Sequence, residues 1–108
     1  MFKKNKRIST TLFNEILKNS RSVRGDILYA RFANNSLEES RFAVVVPKKI
    51  IKGSVKRHIL KRRISHILKE FEEEFPTKDY IFFLGKYDED FSKEKIKEDI
   101  KKIVSLIK

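Results

Sequence analysis

Cysteine is absent from this 108-residue chain. That removes disulfides, thiolate nucleophiles and cysteine-ligated zinc together, and it suits a reducing compartment, so a cytoplasmic location is expected. Glycine and proline are scarce, at three and two, and there is no repeat, low-complexity block or linker-like stretch. A single domain over residues 1–108 is expected, of a size that leaves room for one modest core. Long apolar runs are missing as well. Tyr80–Leu84 falls far short of the ~20 residues needed to cross a bilayer, and no apolar signal core follows Lys3, Lys4, Lys6 and Arg7, so no membrane association is expected.

The most informative absence is local. From Arg41 to Lys69 the chain holds ten Lys or Arg and not one Asp or Glu. The formal net charge of +11 is unevenly placed: residues 1–69 carry 18 basic and 4 acidic groups, residues 70–108 carry 8 and 11. Solvated helices usually interleave acids with bases, as the C-terminal segment does with Glu94, Glu98 and Asp99. An acid-free run inside sequence that is 40% hydrophobic, with nine Phe and three Tyr, therefore reads as a shaped polyanion site and not as a disordered basic tail. RNA is the favoured partner class. Duplex DNA is disfavoured because the basic segment lacks Asn and Gln base readers.

Periodicity supplies the elements. Leu12, Phe13, Ile16 and Leu17 recur as the stripe of a short helix over 11–18, with Ser9 or Thr10 available as cap. Residues 26–32 alternate as a strand, with Leu28, Ala30 and Phe32 on one face and Ile27, Tyr29 and Arg31 on the other. A polar connector, Asn34 to Glu39, leads to a β-rich run, Arg41–Val46, expected to pair antiparallel with its predecessor as a hairpin. Pro47 ends it. Leu60, Ile64, Ile67, Leu68, Phe71 and Phe75 form the buried stripe of a long helix over 54–74, stopped by Pro76. Tyr80–Leu84 is apolar throughout, as in a central strand, and Ile96, Ile100, Ile103, Val104 and Ile107 mark a last helix from Ser92. The order is α-β-β-α-β-α, an α/β (α+β) sandwich on a small sheet.

On the long helix, His58, Arg62, Ser65 and Lys69 are expected to line one exposed face, with Arg57 and Lys61 as the adjoining ridge. Lys48, Lys49 and Lys52 precede it, near a helix N-terminus whose free N–H groups favour phosphate. A second candidate is aromatic. Phe13 and Tyr29 could flank a groove in which single-stranded bases stack, although spacing alone places Phe13 in the core and leaves Tyr29 open between core and surface. Catalytic constellations are poor. His58 and His66 lie about 80° apart around the helix with no carboxylate beside either in sequence, which gives little support to a protein acid–base pair. Glu72–Glu74 and Asp88–Asp90 read as a solvated helix end and loop, so no metal site is expected.

The segment Val45-Val46-Pro47-Lys48-Lys49-Ile50-Ile51-Lys52-Gly53-Ser54-Val55-Lys56-Arg57-His58-Ile59-Leu60-Lys61-Arg62-Arg63-Ile64 resembles the signature of the bacterial ribonuclease P protein component: a Lys-Lys pair after a strand, then an Arg-Asn-Arg triplet and a Lys-Arg pair on the long helix. Arg7-Ile8, Phe13 with Ile16 and Leu17, Ile27-Leu28-Tyr29 and Asp79-Tyr80-Ile81 extend the likeness over nearly the whole chain. The triplet departs from the signature, reading Arg57-His58-Ile59. The resemblance implies a fold like domain 2 of ribosomal protein S5, with a left-handed βαβ crossover. It implies the protein subunit of an endoribonuclease that matures the 5′ end of tRNA, in which the RNA subunit positions Mg²⁺ and carries the chemistry. The protein then has no catalytic residue and no cofactor of its own. Its partners would be ribonuclease P RNA and precursor tRNA, with no obligate protein partner.

On that template Lys48, Lys49, Lys52, Arg57, His58, Lys61 and Arg62 would contact the catalytic RNA, and Phe13, Leu17 and Tyr29 would line a cleft for the single-stranded 5′ leader. The alternative is a ribosomal or general RNA-binding protein with no associated enzyme activity.

Overall fold

The computed structural model describes residues 8–35 and 37–107; Arg7, named above with Ile8 as part of the family likeness, lies outside them. Helix α1 (Thr10–Lys18) begins where Ser9 Oγ accepts the Leu12 N–H at 3.2 Å, so Ser9 is the cap of the two residues the sequence offered. Strands β1 (Arg21–Arg24) and β2 (Leu28–Ala33) follow, then β3 (Arg41–Val45), helix α2 (Ser54–Glu70), a 3₁₀ turn (Glu72–Glu74), strand β4 (Asp79–Leu84) and helix α3 (Lys93–Ile107).

The four strands form one mixed sheet in the order β1-β2-β4-β3. The expected hairpin between the second and third strands does not form. Strand β4 lies between them, antiparallel to β2 and parallel to β3. Strands β2 and β3 are still mutually antiparallel, but they are held apart by a strand that contributes side chains to both faces. A strand as apolar as β4 gains most when both neighbours cover it, and Tyr80, Ile81, Phe82 and Leu84 are all fully buried there. The expected central position of this strand is what the sheet shows.

Helices α2 and α3 cover one face. Leu60, Ile64, Ile67, Leu68 and Phe71 of the expected stripe, with Ile96, Ile100, Ile103 and Val104 of α3, join Leu28, Ala30, Phe42, Val44, Tyr80, Phe82 and Leu84 in a single cluster. Phe75 sits at its centre, 5.0 Å from the Tyr80 ring and edge-on to Phe42 and Phe82. Helix α2 ends at Glu70, and Glu72–Glu74 tighten into the 3₁₀ turn. Ile27 joins this core, not the opposite face expected from alternation, because it precedes the strand proper.

Two polar devices hold the ends of the sheet. At one end Asp79, only 2% exposed, accepts two bonds of 2.8 Å from Arg41 Nε and Nη2 and one of 2.9 Å from Asn35 Nδ2. The Asp79 bond holds the Arg41 proton more tightly than usual. Arg41 is thus neutralised far from the rest of the acid-free run. At the other end Asp99 of α3, 4% exposed, accepts the backbone N–H groups of Asp26, Ile27 and Leu28, and the Gly85 N–H donates to the Ile27 carbonyl at 2.7 Å. Asp26 itself pairs with Lys95 and Lys86, which hold its carboxyl down at about 2.

Candidate nucleic-acid interface

The second face of the sheet is only partly covered, by α1. Ile16 and Ile81 are buried against this side, outside the main cluster. Arg31 ties the helix down: its Nε donates to Ser20 Oγ at 2.8 Å and its Nη2 to the Leu17 carbonyl at 3.2 Å. Beside α1 one cross-strand row runs through all four strands, Arg24–Tyr29–Phe83–Val45. Tyr29 and Phe83 stack with centroids 4.9 Å apart and planes 8° from parallel. Phe13 leans on Phe83 at 6.3 Å, and the Arg24 guanidinium lies over the Tyr29 ring at 5.4 Å. Phe13, Leu17, Tyr29 and Phe83 are all half-buried. Phe13 is therefore not a core residue, as spacing alone would have it. Gly85 keeps the floor low, since a Cβ there would stand 3.0 Å from Tyr29 Cδ1.

The basic surface begins one strand further on. Lys48, Lys49 and Lys52 are exposed around a turn closed by the Pro47 carbonyl, which accepts from Ile50 and Ile51 at 3.1 Å each. The turn delivers the chain to α2, whose cap Gly53 offers no side-chain acceptor and whose first turn holds no acid. Its leading N–H groups and dipole add to the lysine field. His58, Lys61 and Arg62 are exposed along the helix. Arg57 is half-buried, and its Nη1 donates to the Ile51 and Lys52 carbonyls at 3.0 and 2.7 Å. It holds the lysine turn against the helix while leaving the rest of its guanidinium available. Ser65 departs from expectation: it is buried, its hydroxyl donating to the Lys61 carbonyl at 2.8 Å, so the exposed stripe passes it by.

Arg57, His58 and Lys61 share a shallow groove of about 350 Å³ with Val44–Val46. Val45 is common to this groove and to the aromatic row. Neighbouring strands lie ~4.8 Å apart, so the stacked rings and the cationic groove form one continuous surface. Sequence reasoning missed Phe83, Arg24 and Val45. The signal for Phe83 was its alternation with Phe82, which is hidden in a run, Tyr80–Leu84, that is apolar throughout.

A family model described as Ribonuclease P matches residues 2–108. The chain belongs to that family. Among curated relatives, the ribonuclease P protein component of Vibrio parahaemolyticus is 35% identical over 63 residues, 58% of this chain and 53% of the relative. That of Vibrio vulnificus is 33% identical over a segment of the same coverage. The matches thus span about half the length of these curated relatives. Two solved structures of the family share the fold. The Staphylococcus aureus RNase P protein superposes with a TM-score of 0.83 at 24% identity, covering 95% of both chains. The Thermotoga maritima RNase P protein gives 0.77 at 22%, covering 89% of this chain and 91% of that one.

Proposed function

We propose that this chain is the protein subunit of a ribonuclease P holoenzyme that removes the 5′ leader of precursor tRNA. The lysine turn and α2 bind the catalytic RNA, and the cleft between α1 and the sheet receives the single-stranded leader. The observation that carries this reading is the row Arg24–Tyr29–Phe83–Val45, which joins an open aromatic stack to a basic groove. A duplex-only binder has no use for half-open rings, whereas an unpaired strand stacks on them.

Arg24 covers the free face of Tyr29. An exposed cation–π contact contributes ~0.5–1 kcal/mol, and a stacked base ~1–3 kcal/mol, so a leader base displaces the guanidinium, which then pairs with a leader phosphate. Precursor gains these contacts and mature tRNA does not, which is differential binding. Under this reading the RNA subunit, with Mg²⁺, carries the hydrolysis, and the protein's residues bind and orient.

Added to its catalytic RNA, the chain is expected to lower the Mg²⁺ needed for precursor cleavage and to favour leader-bearing substrate. Equal affinity of the holoenzyme for precursor and mature tRNA would overturn the proposal and favour a general RNA-binding role. Affinity for the catalytic RNA is expected to fall steeply with salt. With about five phosphates neutralised, log affinity against log salt has a slope near −4, and Lys61→Ala or Arg62→Ala makes it shallower by roughly 0.7–0.9 each. Filter binding from low to moderate salt measures both.

A further inference from the structure

A second groove lies on the neighbouring face of α2, where the chain departs from the family triplet. Ile51, Ile59, Leu60 and Phe91 form its apolar floor, Tyr87 one wall, and Lys56 and Arg63 its charged rim, around a volume of about 230 Å³. Ile59 is 51% exposed and Tyr87 64%, with Val55 one helical turn away at 71%. Large apolar side chains gathered at one surface spot usually mark a contact site.

The groove is also built. Phe91 meets Tyr87 edge-on at 5.6 Å, and Arg63 Nη1 donates to the Phe91 carbonyl at 2.7 Å, fixing the loop that presents the tyrosine. Two acids of that loop are engaged in it. Asp88 Oδ1 accepts the Asp90 N–H and Asp90 Oδ1 the Ser92 N–H. Glu89 is exposed, and none of the three lines the groove, whose charged members are both cations.

We propose that this groove holds one unpaired nucleobase of the RNA that α2 binds, stacked on Tyr87 against Ile59, with Lys56 and Arg63 on the flanking phosphates. The inference rests on the RNA-binding role proposed above. An aromatic ring beside apolar side chains, rimmed by cations only, matches a base with its charged backbone, whereas an apolar peptide has no use for the two cations. The surface is also continuous with the proposed interface: Arg62 and Ile59 are three residues apart, about 60° around the helix axis. A strand crossing α2 meets the basic stripe and then the groove. On this reading Ile59 exchanges a charge contact for a stacking wall.

The test is filter binding of the full chain to its own catalytic RNA, comparing wild type, Tyr87→Ala, Tyr87→Phe and Lys61→Ala, with sedimentation of each protein alone. Tyr87→Ala is expected to bind about 5- to 150-fold more weakly, the range of one stacked base, with the salt slope unchanged. Tyr87→Phe restores the affinity, and Lys61→Ala makes the slope shallower. Wild-type affinity in Tyr87→Ala alongside weakened Lys61→Ala overturns the groove and leaves the RNA-binding role standing. Conversion of a dimer to a monomer by Tyr87→Ala, with RNA affinity intact, assigns the groove to a second copy of the chain and overturns it too. No affinity of the wild-type chain for the RNA overturns both readings.

Discussion

Replacing Phe13 and Tyr29 together by alanine is expected to abolish most of the preference of the holoenzyme for leader-bearing precursor over mature tRNA. Each stacking contact is worth ~1–3 kcal/mol, so two supply a discrimination of roughly 10² or more, and the double variant loses that factor on precursor alone. Affinity for mature tRNA and for the catalytic RNA changes little, because neither ring reaches the lysine turn or α2. Each ring contacts Phe83, at 4.9 Å for Tyr29 and 6.3 Å for Phe13, so the single variants are coupled through it and their effects do not simply add. Titration of holoenzyme with labelled precursor and mature tRNA distinguishes the cases. Equal weakening on both substrates would place the rings outside the leader path.

The largest stability effect is expected at Asp99, which lies in neither of the proposed RNA surfaces. Its carboxylate accepts three consecutive backbone N–H groups at the tight connection between β1 and β2, and alanine leaves those donors without their partner in a part-buried site. Hydrogen bonds to charged groups contribute ~1.5–3 kcal/mol each, less when they share one acceptor, so Asp99→Ala should cost about 3–5 kcal/mol. For a domain of this size that lowers Tm by roughly 13–22 °C. Gly25→Ala should reproduce the defect from the other side, since a Cβ there would stand 2.5 Å from Asp99 Oδ1. Thermal unfolding followed by circular dichroism measures both. A shift of only a few degrees in Asp99→Ala would mean that water replaces the carboxylate without penalty.

Helices α2 and α3 were legible in the sequence because each buries one stripe at a 3.6-residue period, and those stripes are buried where periodicity put them, whereas α1 buries only Ile16 of its own. Strand β1 was not. Arg21-Ser22-Val23-Arg24 offers one half-buried apolar residue, and four residues held at a sheet edge by backbone pairing leave no hydrophobic pattern. The hairpin failed for a related reason. Adjacency in sequence suggested pairing of β2 with β3, but the most apolar strand, 34 residues after β3, competes for the middle position and takes it.

At the interface, composition gave the charge of the partner. Which polar side chains stay free for a partner depends on the tertiary structure: Arg41 is neutralised by Asp79, Arg57 is partly spent on its own turn, and Ser65 is buried. The placement of Phe13 outside the core was expected only from family likeness, because a ring on a short helix has the same local sequence whether it faces a core or a cleft.

Strand β4 is apolar on both faces, with Phe82 in the core and Phe83 in the cleft. A slip of one residue exchanges the two faces of a strand, and here it would trade one phenylalanine for the other with little hydrophobic penalty. Apolar patterning therefore cannot align this strand. The alignment comes from its ends, where the Asp79 carboxylate is matched to Arg41 and Asn35, and the Gly85 N–H to the Ile27 carbonyl. These polar contacts act as a ruler. They decide which ring faces the cleft proposed for the leader, so an ion pair at the far end of the sheet sets the fidelity with which that cleft is assembled.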